Sequence, residues 1–189
     1  CSIFNKSIIL SKFKILSEVD PCYALKAIKN KTEIKNMTDA HIADGAALTK
    51  FLYWLKNKKN FNFTEIDAEK KLEKFRKKNS NFLYPSFNTI AGTGPNGSII
   101  HYRANINSNR KINKKDIFLC DSGGQYKYGT TDVTRTICFS KPSSKIKNIF
   151  TRVLKGHIAV SNTNLNKINT GKEIDKRARA FLKKVNLDY

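Results

Sequence analysis

Asp121 and Asp132 stand eleven residues apart in the stretch DSGGQYKYGTTD, each at the edge of a β-like run. Residues 116–121 (DIFLCD) form a short apolar run, and residues 131–139 (TDVTRTICF) are rich in β-branched side chains, which suit strands. A hairpin turned at Gly123–Gly124 lays the two carboxylates side by side. Carboxylates held that close repel, and one takes up a proton unless a cation lies between them. Hard divalent cations take oxygen ligands, so such a pair is the core of a two-metal site. The same spacing also suits two acids that cap a hairpin and accept from turn amides. Spacing alone leaves both open.

His101 is the second candidate. It lies in IIHY, and strand alternation puts Ile99 and His101 on one face. A histidine there serves as a proton donor or substrate contact, or as a satisfied strand side chain. His41 and His157 fall within helical patterns beside apolar residues and read as structural or surface groups without a ligand role. The run GTGPNG (92–97) lacks the Gly-Lys-Ser/Thr of a phosphate-cradling loop and reads as a hairpin turn. The lysines of 70–78 read as a solvated helix face.

Certain elements must position these residues. A helical pattern begins near Ala27, with Thr32 as N-cap, and runs through Lys56 with Ile34, Met37, Ile42, Ala46, Leu48, Leu52 and Leu55 on its stripe. Thr64 caps a second helix, with Asp67 as its reciprocal partner. That helix carries Ile66, Ala68, Leu72 and Phe75, and the pair Glu73–Lys77 supports it. The period changes at Asn79. Residues 86–93 are extended, GPNG is a tight turn and 98–103 is a second strand. A polar loop spans 104–115, and the 116–121 and 131–139 strands follow. Helices are predicted over 143–161 and from the Thr170/Glu173 capping box onward. Strands and helices in blocks define an α+β class with antiparallel β-hairpins and helices on one face.

The 189 residues hold 36 Lys+Arg against 15 Asp+Glu, a net charge of +21. Such a field suits an anionic partner. The excess, however, comes from 29 Lys against only 7 Arg, beside 20 Asn and 20 Ile, the residues that A+T-rich coding favours. A nucleic-acid site would be richer in Arg, whose planar fork fits phosphate and guanine. The composition therefore argues against a nucleic-acid partner. No run of about 18 apolar residues predicts a membrane span. Cys1, Cys22, Cys120 and Cys138 fit neither a CxxC metal site nor a disulfide framework, and are expected to pack as small apolar groups in a reducing cytoplasm.

TGPNGSIIHY (93–102), DSGGQYKYGTTDVTRT (121–136), LKGHIAV (154–160) and HIADGAALTKFLYWL (41–55) together resemble the catalytic domain of the Xaa-Pro aminopeptidase family, of the long cytosolic type. The wider family includes methionine aminopeptidase, prolidase and creatinase, all with the pita-bread fold. The resemblance implies that Asp121 and Asp132 are ligands of a dinuclear centre, usually of manganese. It implies that His101 contacts substrate and handles protons near the scissile bond, and that Thr134 and Arg135 orient Asp132. The implied reaction is hydrolysis of the bond before a Pro in the second position of a peptide, by a water that two divalent metal ions activate. The implied partners are that peptide and, in the parent protein, a second copy in a homodimer, with no membrane.

The family takes three more ligands, one His and two Glu, and the residues that match them are not found after His157 and Glu173. The chain is therefore expected to be the N-terminal half of a pita-bread domain (residues 28–189), preceded by the tail of another domain (residues 1–27). It is expected to be inactive alone and to leave an open sheet edge. The alternatives are a non-catalytic pita-bread binding protein, or a truncated gene product without function.

Overall fold

The computed structural model describes residues 3–10, 12–14, 18–167 and 170–189. Cys1 lies outside the described residues. The chain divides into two compact units. The first comprises Cys1–Asn57, Ala68–Thr89 and Asp121–Thr134, and the second Lys58–Asp67, Ile90–Cys120 and Arg135–Tyr189. No described helix is long and apolar enough to cross a membrane.

In the first unit, α1 (Ile3–Leu10) and α2 (Pro21–Ala27) precede the long α3 (Lys31–Lys56). Asp20 caps α2 by accepting from Cys22 N at 2.9 Å, with Pro21 opening the helix. The cap of α3 is Asn30 and not Thr32. Asn30 Oδ1 accepts from Glu33 N at 2.9 Å while Glu33 Oε2 accepts from Asn30 N at 2.8 Å, a reciprocal box that Thr32, already inside the helix, cannot form. Asn30→Ala is expected to cost about 1 kcal/mol in a denaturant titration, and Thr32→Ala well under half of that. An equal loss in both would contradict the assignment.

The buried face of α3 is Ala40, Asp44, Ala47, Leu48, Phe51 and Leu55. The predicted stripe is therefore rotated: Ile34, Met37 and Ile42 face solvent. The buried Asp44 explains the shift, because an apolar count passes over it. Trp54 stacks near Phe51 with ring centroids 6.1 Å apart, and the Lys71 ammonium sits 5.1 Å from the Trp54 ring centre.

The first sheet has the order β1–β4–β5, with β1 (Phe82–Pro85), β4 (Gly124–Tyr126) and β5 (Gly129–Thr130) all antiparallel. Phe82 opposes Tyr126 and Pro85 opposes Gly124. Ala40 of α3 packs on Phe82 and Tyr126, with Ala43 and Tyr128 at the edge. The predicted 86–93 strand is thus shortened to β2 (Ile90–Thr93), with residues 86–89 outside any strand.

A second sheet has the order β2–β3–β6, with β3 (Ile117–Ser122) central and β6 (Val133–Cys138) beside it. Alternating burial along β3 puts Phe118, Cys120 and Ser122 on its inner face and Asp121 on the other. The helix α4 (Glu65–Arg76) joins the units in sequence, opened by Thr64 and Asp67 as predicted. Its buried stripe holds Glu65, Ala68, Leu72 and Arg76.

The predicted strand at 98–103 is absent. Gly94–Ser98 is a 3-10 helix, and the chain turns again before Tyr102. Ile100 is 85% exposed, so its β-branched shape has no pleated surface to fill. The second unit ends in α5 (Ser144–Ser161), capped by Ser143, and α6 (Gly171–Lys183), capped by Thr170. These two helices pack on one another, with Gly156 buried between them. The apolar stripe of α5 is only partly covered: Phe150, Val153, Leu154 and Ile158 are exposed. Of the described cysteines, Cys120 is buried and Cys138 half-buried, but Cys22 is exposed and does not pack as expected.

Candidate metal centre and its supports

The first unit brings Asp121 and Asp132 together. Asp121 is the last residue but one of β3, the chain bends at Gly123, and Asp132 precedes β6. Three bonds lock the bend: Thr131 N donates to Gly124 O at 2.9 Å, Gly124 N to Thr131 Oγ1 at 2.8 Å, and Ser86 Oγ to Thr131 O at 2.8 Å. The carboxyl of Asp132 comes within hydrogen-bonding reach of Asp121. Its pKa is raised, first by desolvation and then by the charge and hydrogen bond of Asp121, while His41 pulls it the other way. The hydroxyl of Thr134 donates to Asp121 Oδ1 at 2.7 Å. Arg135 follows in β6 with an exposed side chain.

The oxygen-only donor set fits a hard divalent cation. Among the described residues, no cluster of three or more His, Cys, Asp or Glu forms a metal-binding group. His41 is exposed, and its Nδ1 lies 2.8 Å from Met37 O.

Behind Asp121 lies a network that the sequence reading missed. Asp44 and Arg76 are buried to 0% and 1% exposure and meet in a two-pronged pair, Nε–Oδ1 at 2.6 Å and Nη2–Oδ2 at 2.9 Å. Arg76 Nη2 also donates to Ser122 Oγ at 3.1 Å, and Tyr126 OH donates to Asp44 Oδ1 at 2.9 Å. Burial, reinforced by the Asp44 carboxylate, pushes the Tyr126 phenol far above its ordinary range. A signal was present: Ala40, Ala47 and Leu48 flank Asp44 at helical spacing, which marks a buried position.

His101 belongs to the second unit. It is exposed, with φ at +54°, so the alternation that paired it with Ile99 does not hold. Its neighbour Tyr102 is buried and donates to Glu65 Oε2 at 2.7 Å. Glu65 is fully buried and accepts as well from Thr93 N at 2.8 Å, Arg110 N at 3.0 Å and Asn96 Nδ2 at 3.1 Å.

The fold and the acid pair define a class that the comparisons identify: the chain belongs to metallopeptidase family M24, whose profile matches residues 35–189. It is 43% identical over 190 aligned residues to the Xaa-Pro aminopeptidase ApepP of Drosophila melanogaster, covering all of this chain and 31% of the fly protein. It is 46% identical over 172 residues to a probable Xaa-Pro aminopeptidase P of Paracoccidioides brasiliensis, covering 28% of that protein. The crystal structure of X-prolyl aminopeptidase from Caenorhabditis elegans, described as a cytosolic enzyme with a di-nuclear active site, matches with a TM-score of 0.78 at 34% identity over 87% of this chain and 27% of the worm chain. A prolidase from Thermococcus sibiricus matches with a TM-score of 0.75 at 27% identity, over 96% of this chain and 47% of that one. The architecture is accordingly α+β, part of a pita-bread domain. The chain spans about 30% of the length of the curated relatives it matches.

Proposed function

We propose that these residues are the N-terminal part of the catalytic domain of a Xaa-Pro aminopeptidase, which releases the first residue of peptides with Pro in second place. Residues 1–27 are then the tail of a preceding domain. The carrying observation is the Asp121–Asp132 carboxyl pair, steadied by Thr134, in a chain of family M24. The names of the fly and worm relatives support the substrate class, and the worm enzyme's description supports a cytosolic setting.

Asp121 and Asp132 would hold two divalent ions, with manganese the preferred metal. When bound, such ions supply a nucleophilic water at neutral pH and positive charge for the oxyanion that forms. The protein's own groups set the geometry. Thr134 fixes the lone pairs that Asp121 presents. His101 contacts the peptide and moves a proton at the scissile nitrogen. Two carboxylates fall well short of the roughly six ligands a hard cation takes. The likeness to the family implies that one His and two Glu from outside these residues complete the centre, and the 189 residues alone should not turn over substrate.

The full-length protein, stripped of metal and resupplied with Mn²⁺, should cleave a peptide with Pro in second place and leave its Ala counterpart intact. Thr134→Ala should weaken Mn²⁺ binding about 10–100-fold. No cleavage by the full-length protein with any divalent ion would overturn the reading.

A further inference from the structure

The backbone of His101 is the feature that the site chemistry alone does not explain. Its φ of +54° is left-handed, a region that side chains with a Cβ disfavour. Tyr102 N donates to Ile99 O at 3.1 Å, so His101 occupies the third position of a tight turn, where a positive φ is ordinarily left to Gly or Asn. Such a conformation persists only where its surroundings over-determine it, and it gathers at functional positions.

The surroundings here converge on one carboxylate. Glu65 receives two backbone N–H groups, one from the end of β2 and one from the loop after His101. It also receives the Asn96 amide and the Tyr102 hydroxyl. The turn is fixed on both sides of His101. Upstream, Asn96 is held by Glu65 and Ile99 N donates to Asn96 O at 3.2 Å. Downstream, Tyr102 OH is held by Glu65 and lies 2.9 Å from Ser108 O. The backbone partner on the helix side is equally direct, with Glu65 N donating to Arg110 O at 3.0 Å. All four donor groups on the carboxylate are neutral. An anion satisfied by fixed neutral dipoles costs nothing in reorganisation when substrate arrives, but it leaves each donor no freedom to move. Burial, the first cause, holds the Tyr102 phenol above its ordinary range, so the hydroxyl stays protonated as a donor.

We propose that Glu65 is a positioning residue that acts through Tyr102 and Asn96 to hold His101 in its left-handed turn, so that the imidazole meets the peptide ready-oriented. The proposal rests on the aminopeptidase reading, which gives His101 its substrate contact.

Glu65→Ala would strand four donors and endanger folding, so the test uses Tyr102→Phe, which removes one hydroxyl and keeps the ring. In the full-length protein this variant should lose about tenfold in kcat, with KM within twofold and the melting temperature little changed, as misorientation of a catalytic contact does. The decisive measurement is a double-mutant cycle with His101→Asn, which removes the imidazole but tolerates the left-handed backbone. In that background Tyr102→Phe should cost less than twofold. Equal losses in both backgrounds would show that Tyr102 supports the fold without acting through His101, and would overturn the proposal. Absence of any Pro-directed cleavage by the unmutated protein would instead remove the aminopeptidase reading beneath it.

Discussion

Arg76→Met should destabilise the protein by about 3–5 kcal/mol, the loss expected when one partner of a buried ion pair is removed. Asp44 would keep only the Tyr126 hydroxyl as a donor among the bonds described above, in a site that is 0% exposed. Water cannot replace the two guanidinium donors without opening the seam between α3 and α4. The pair is not needed for its net attraction, because desolvation offsets most of that. Hence Asp44→Leu combined with Arg76→Met should recover most of the loss. Denaturant titration by circular dichroism reads both, and a single-variant loss under 1 kcal/mol would refute the account. The pair also orients the site strand. Arg76 grips Ser122, and the pleat of β3 turns Asp121 to the opposite face.

Gly123→Ala should be almost as damaging, at about 3 kcal/mol, the upper end for overpacking. A Cβ at Gly123 would lie 1.9 Å from Thr131 O and 2.2 Å from Ser86 Oγ. The serine can rotate, but the carbonyl belongs to the bend that three hydrogen bonds lock. The backbone between Asp121 and Asp132 must then move, so Mn²⁺ binding by the full-length protein should weaken together with stability. Gly45→Ala is the matched control. Gly45 lies within α3 with nothing within 4 Å of the added Cβ, so the change should stabilise by up to about 1 kcal/mol. A Gly123→Ala variant as stable as wild type would refute the close approach.

The acid pair was legible because its signal is local. Two β-rich runs close in sequence place the two Asp residues without reference to the rest of the chain, although the reversal falls at Lys127–Tyr128, between β4 and β5, and not at the expected Gly123–Gly124. The caps at Thr64 and Thr170 are local in the same way. What escaped was long-range. Glu65 and Arg76 look like ordinary charges of a Lys-rich helix, and their partners lie 28 residues away at Thr93 and 32 at Asp44. Apolar periodicity counts only greasy residues, so it rotated the face of α3 and ignored half the buried stripe of α4. At 98–103 the two isoleucines carried a strand propensity that holds only where a neighbouring strand exists.

Trp54 is the one tryptophan of these 189 residues, and it lies in the first unit between Phe51 and the Lys71 ammonium. Its emission therefore reports on the α3–α4 seam, whereas circular dichroism records every helix, α5 and α6 included. The amino-acid sequence thus carries a built-in optical label on one unit. Comparing the two signals along a single denaturation curve reveals whether the halves melt as one cooperative block or in succession.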